Sequence, residues 1–483
     1  MNAADTPQTD KQSPSQDNAE LPANSFEQGV SLGIIAIVGI VILCMMIAFR
    51  GQLYMLRNPH PVSTATEEDS SWDDEHDTPW DEELEEYLQS RPDAPLPVDE
   101  SAKDELMSGA YESPSPWLHD GYAQGVSEWK VTGRYMGVSA DKSVIVFDES
   151  GGSVTTSYVV GRDIRTGKEK WRLNYGDSAE ECSPSFNGVA YCAQENDEDR
   201  FSLDAIDFGS GKVSALGEIN IPYSRSPEFV AAQSGQTLWT VTFPGLDGDS
   251  ISDLISIKEG VIQWRSPIVE GSECRAADGV VVCETKGDVN RPSLEVFSTV
   301  SGRKVSQFEG LAAYQLFRDG LAIQTPEGGS HKYSWRGEKI GDLPFEVARL
   351  NVWTLKQNNV LPPLSSVDQL QGVRAVNSAG EPLVREEKEV SRKQMYLVDI
   401  STETTIGEKR MSLDIVANEK GSLYLLEDER VKATILYGED GKEIFRRAYT
   451  ENALAYYPDG IIYSIAEGEG VHAEITVYAP KGK

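Results

Sequence analysis

The sequence predicts an all-β fold, an eight-bladed β-propeller of four-stranded antiparallel blades over residues 127–483, preceded by one transmembrane helix and a disordered acidic linker. Three observations predict it. A hairpin-forming segment, VVGRDIRTGKEKWRLN at residues 159–174, recurs in weakened copies at intervals near forty residues, a period that signals a repeat architecture. A second family of turns alternates with the first, giving four strands per unit. The last unit ends without a return strand, and the first strand of the domain can supply it.

The first turn family comprises Thr166-Gly167, Ser210-Gly211, Glu259-Gly260, Ser301-Gly302, Arg336-Gly337, Asp440-Gly441, Lys481-Gly482 and a degenerate copy at 401–403. Gly167, Gly211, Gly302 and Gly441 mark the tight turns, and Trp171 marks the return strand. The second family is Asp141-Lys142, Asn187-Gly188, Ser234-Gly235, Asp278-Gly279, Asp319-Gly320, Asn358-Asn359, Lys420-Gly421 and Asp459-Gly460. β-Rich runs such as SVIVF, TLWTV and SLYLL flank these turns. Radial packing of such units buries both faces of every blade. Trp129, in SEWKVTG, resembles Trp171 and Trp264 on outer strands, so its segment is expected to pair with the terminal HAEITVYAP strand and close the ring.

Ahead of the propeller the chain changes character twice. Residues 1–28 are polar and aperiodic, a disordered tail. Residues 29–49, GVSLGIIAIVGIVILCMMIAF, carry no charge and are long enough as a helix to cross a hydrocarbon layer of about 30 Å. A cleaved signal peptide would need a basic n-region and a small-residue cleavage site, which are not there. Residues 50–126 form an acidic, Pro/Ser-rich linker. Between Glu67 and Asp120 nineteen acids face only Arg91 and Lys103, and their mutual repulsion favours an extended tether. Within it a short helix is expected at 79–89, with Trp80, Leu84, Tyr87 and Leu88 on one side. It reads either as a nascent helix in the tether or as a docking motif for a partner groove.

The net charge of −34 excludes a nucleic-acid partner, because displacing phosphate counterions requires a basic face. Residues 349–394 are too long and too polar for two ordinary strands, which predicts an insertion. Counting outward from the Asp278-Gly279 turn puts Cys274 opposite Cys283, and a turn at Asn187 does the same for Cys182 and Cys192. Two disulfides follow, at a register where paired α-carbons stand about 4.5 Å apart. Disulfides persist in oxidising compartments, which places the propeller outside the cytoplasm. Arg50 and Arg57 argue the reverse by the positive-inside rule, but long domains cross membranes largely regardless of nearby charge.

The copies VVGRDIRTGKEKW, LDAIDFGSGKV, LEVFSTVSGRKV and ILYGEDGKEI resemble the repeat of the pyrroloquinoline-quinone-like propellers. That superfamily holds quinoprotein dehydrogenases and non-catalytic scaffolds, among them the outer-membrane protein assembly lipoprotein. The resemblance covers residues 127–483. Its enzymes depend on an adjacent Cys-Cys pair and a calcium site, whereas no two cysteines are adjacent here. No zinc-ligand spacing, nucleophile elbow or phosphate loop occurs either. The resemblance therefore implies the non-catalytic branch, without cofactor, metal or catalytic residues. The expected role is a membrane-anchored scaffold in a bacterial-type envelope, binding an envelope protein or a cell-wall polymer. The alternative is a degenerate quinone- or calcium-dependent oxidoreductase using the propeller channel.

Overall fold

The computed structural model describes residues 86–106 and 117–482. Not described within the second range are 151–156, 176–181, 196–200, 220–224, 234, 245–249, 287–290, 358–360, 389–394, 410–412, 429–431, 449–452, 457 and 467–472. The described strands form seven antiparallel sheets. Sheet one holds seven strands, in spatial order Ala453–Tyr456, Ile462–Ala466, Ala473–Pro480, Val126–Val138, Val144–Ser150, Ser157–Asp163 and Glu169–Asn174. Sheet two holds Val189–Glu195, Phe201–Asp207 and Val213–Ile219, with bridges from Cys182 and Phe186 on its inner side. Sheets three to seven are four-stranded meanders. They span Arg225–Ile268, Glu273–Phe308, Ala313–Asp342, Val373–Lys409 and Leu413–Ala448.

The expectation of eight separate blades is thus corrected to seven sheets. The cause is the strand Val126–Val138. It stays extended for thirteen residues, pairing with Ala473–Pro480 from Val126↔Pro480 to Gly133↔Ala473, then with the strand Val144–Ser150 from Arg134↔Asp148 onward. The sequence reading divided there; the backbone runs on, so the first and last sets of strands share one sheet. The pairing of the Trp129 and Tyr478 segments follows the expected closure, with Glu128 opposite Tyr478.

Apolar clusters fill the spaces between neighbouring sheets and hold the ring. Val146, Ala190 and Phe208 join sheets one and two, Tyr191 and Trp239 join two and three, and Leu254 and Val281 join three and four. The series continues around to Val416 and Ile462 between sheets seven and one. Burying both faces explains why every residue from Ser252 to Ile257 is buried and why Val280–Val282 is apolar without alternation.

Both disulfides are formed. Cys182–Cys192 and Cys274–Cys283 each hold α-carbons 4.0 Å apart, and Cys274 stands directly opposite Cys283 in register. The Asn358-Asn359 turn lies outside the described residues. The first hairpin of sheet six turns instead at residues 377–381, where the Asn377 amide donates to the Glu381 carbonyl. Val352, Leu355, Leu364 and Val367 of the insertion pack in one cluster with Phe317 of sheet five and Val373 of sheet six, and the insertion includes a short helix, α1, Trp353–Gln357. Residues 29–49, read as a transmembrane helix, lie outside the described residues; among the described residues no helix is long and apolar enough to cross a membrane.

Candidate functional site

Each repeat marker sits at a joint between strand and neighbouring turn. The Trp129 indole donates to the Ile164 carbonyl at 2.9 Å, Trp171 to Phe208 at 3.2 Å and Trp264 to Thr299 at 3.2 Å. In every case the ring lies on the turn glycine: Gly167, Gly211 and Gly302, all at positive φ. A Cβ there would meet the indole at 2.8 Å for Gly167 and 2.6 Å for Gly211, so the glycine is needed for the approach as well as for the turn. Gly441 follows the same geometry against the Thr405 backbone, with no tryptophan. Upstream carboxylates shape the turns: Asp163 accepts from the Thr166 amide and Asp207 from the Ser210 amide. These residues assemble the ring and leave its surface to others.

Along each meander the first and third turns emerge on one face. Two segments of the chain cover part of it. Residues 117–124 lie over sheets seven and one: the Leu118 amide donates to Ala417, the His119 amide to Gly460, and Lys142 Nζ to the Trp117 carbonyl at 2.7 Å. The insertion lies over sheets five and six, where the Arg318 amide donates to Pro362 and the Leu364 amide to Asp319 Oδ1 at 2.6 Å. The two covers meet, because Trp353 packs in one cluster with Leu118 and Tyr122. α1 contacts the first strands of sheets five, six and seven.

The hydrogen bonds named for these two covers go to sheets one, five and seven, and the third turns of sheets two to five form a further arc of the same face. Large apolar side chains stand in solvent along that arc: Val213 on sheet two, Val261 on sheet three (60% exposed) and Val300 on sheet four (50%). Ile340 (60%) continues the row on sheet five. Sequence reading flagged these turns but not the arc, since which residues stay exposed depends on the assembled ring. Their recurrence at the third turn of four successive sheets, rather than any one of them, makes the arc a candidate interaction surface.

Where the first cover meets sheets seven and one lies a cluster of charged side chains. Tyr135 donates to Asp459 Oδ2 at 3.1 Å, and Asn418 Nδ2 donates to Asp120 at 2.8 Å, with Lys420 paired to the same carboxylate. Burial raises the Asp459 carboxyl to about 6 against the opposing pull of Tyr135 and Lys142, and burial lowers Lys142 to about 8. A carboxyl raised in the folded chain favours folding below its unfolded value near 4, loses that contribution as the pH climbs to 6, and is a fixed cost above. Asp459→Asn, which tolerates the left-handed φ of 55°, is therefore expected to stabilise the chain by about 2–3 kcal/mol at pH 8 and negligibly at pH 4. Urea midpoints at the two pH values measure the difference; equal shifts at both would refute the assignment.

Of the proposed docking helix, Trp80 and Leu84 lie outside the described residues. Tyr87 and Leu88 are seated on the propeller itself, against the cluster shared by sheets two and three. Among the described residues no group of three His, Cys, Asp or Glu side chains is placed to hold a metal ion.

No family model matches the chain, and no curated protein matches it. Among solved structures it is similar to the computationally designed Ika8 protein, at 10% identity, covering 72% of this chain and 97% of that one with a TM-score of 0.38. It is also similar to BamB from Moraxella catarrhalis (12% identity, 74% and 98% covered, TM-score 0.34) and to the WD40 domain of SCAP from fission yeast (10%, 74% and 98%, 0.36). These likenesses are distant, and the fold stands on the strand pairing described above.

Proposed function

We propose that this chain is a membrane-held, extracytoplasmic protein-interaction scaffold without catalysis of its own, engaging a partner protein of the cell envelope through the exposed arc on sheets two to five. The observation that carries the reading is the exposure of Val213, Val261, Val300 and Ile340 on four successive sheets. A propeller is well suited to the role, since its turns vary freely on a rigid ring. The two disulfides support an oxidising compartment, and the uncharged run at 29–49 supports attachment to a membrane.

The test is crosslinking in the native membrane read by mass spectrometry, comparing the wild type with Val261→Asp and Ile340→Asp. Charge at the centre of a desolvated interface costs several kcal/mol, so each change is expected to lower crosslinking to the principal partner at least tenfold at unchanged thermal stability. Undiminished crosslinks in both variants would rule out the arc.

A further inference from the structure

Residues 86–106, read from the sequence as tether, run as a strap across the outside of sheets three and four. Among the described residues they carry helix at 86–90 and the 3₁₀ turn Glu100–Glu105. What holds them is a series of pockets made by the propeller. The Tyr87 ring packs edge-on to Phe243, with centroids 5.7 Å apart, and lies under the Arg265 guanidinium at 4.7 Å. Its hydroxyl donates to Asp253, and Arg91 donates from Nε to Asp253 Oδ1 and from Nη2 to the Ser252 carbonyl, both at 2.9 Å. Leu96 then packs into the groove between sheets three and four. Asp99 pairs with Arg303 at 2.9 Å while its amide donates to the Lys304 carbonyl, and Ala102 is fully buried between sheets four and five.

Asp253 decides what this surface is. Its side chain is 1% exposed, it sits in the middle of a strand, and among the described residues its hydrogen-bond partners are the strap's Tyr87 and Arg91 alone. A strand built only for packing would place an apolar residue there. A buried carboxylate whose counter-charge is borne by a separate, extended segment is a receptor group. If the strap leaves, the pocket demands an equivalent cation.

We propose that this rim is a peptide-recognition track held shut by the chain's own residues 86–106. Its ligand in trans is an extended protein segment with a tyrosine and an arginine four residues apart, an aliphatic residue five further on and a carboxylate three beyond that. The strap competes as an intramolecular ligand, whose effective concentration reaches the millimolar range for a short connection. Access therefore depends on displacing it. The track adjoins the apolar arc at the sheet-four turn, where Arg303 pairs with Asp99 near Val300, but its test reads the Asp253 pocket and is independent of that reading.

The experiment titrates a fluorescent peptide of residues 86–106 against the full chain in three forms: wild type, Tyr87→Ala/Arg91→Ala, and that pair combined with Asp253→Asn. The double variant is expected to bind the peptide at least tenfold more tightly than the wild type. The triple variant, which retains the released strap but has lost the receptor carboxylate, is expected to lose that gain. Equal affinity for wild type and double variant, no binding by the double variant, or full affinity in the triple variant would each overturn the proposal. Should thermal melting show the double variant unfolded, Leu96→Asp releases the strap away from the Asp253 pocket and is read by the same comparison with the wild type.

Discussion

Gly302→Ala is expected to lower the unfolding free energy by about 2–5 kcal/mol. Roughly 1–2 kcal/mol comes from forcing a side chain into the left-handed region at φ 70°, and roughly 1–3 kcal/mol from overpacking. The new Cβ would overlap both the Trp264 ring and the Ser266 hydroxyl, so either the indole loses its bond to Thr299 or the turn moves. Gly310→Ala is the control: φ is also positive, at 61°, but nothing lies within 4 Å of the added carbon, so it should show only the backbone part. Paired urea midpoints give the difference. If the two substitutions cost the same, the indole contact contributes nothing to joining sheets three and four.

Tyr122→Phe is expected to cost roughly 2–4 kcal/mol, a large effect for the loss of one oxygen. That oxygen accepts from the Ile462 amide at 2.8 Å and donates to the Tyr478 carbonyl at 2.6 Å, inside a fully buried residue. Phenylalanine keeps the packing with Leu118 and Trp353 but leaves an amide and a carbonyl without that partner beneath the cover. Hydrogen exchange at the Ile462 amide should accelerate in step with the fall in stability. An unchanged exchange rate would mean that the amide is satisfied elsewhere.

The parts of this fold legible in the sequence are those fixed by local register. Cys274 and Cys283 could be paired by counting from one turn, and Gly167, Gly211 and Gly302 announced their turns because few other residues adopt that backbone. Closure of the ring was legible for a related reason: an unpaired last strand and a spare first strand imply each other. The number of sheets was not, because nothing at Gly133 and Arg134 tells whether an extended strand ends or continues. The strap was misjudged through its composition. Acidic residues at 99–105 suggest self-repulsion, yet Asp99 and Glu105 both pair with Arg303 from a distant repeat, and a lone Asp253 within an apolar strand gives no sign of its partners. The apolar arc was hidden similarly, since exposure is a property of the assembled ring.

The strap's position along the polypeptide has a mechanical corollary. Any tension arriving from the N-terminal 85 residues reaches Tyr87 and Arg91 before it reaches Val126, where the circle is sewn shut. The load falls first on side chains anchored in the middle of the third sheet, which must yield together, rather than on the end of a strand whose bonds could be peeled one at a time. A pull that frees the strap would uncover its track while the closure strand still holds, so that a strained chain becomes a receptive one without coming apart.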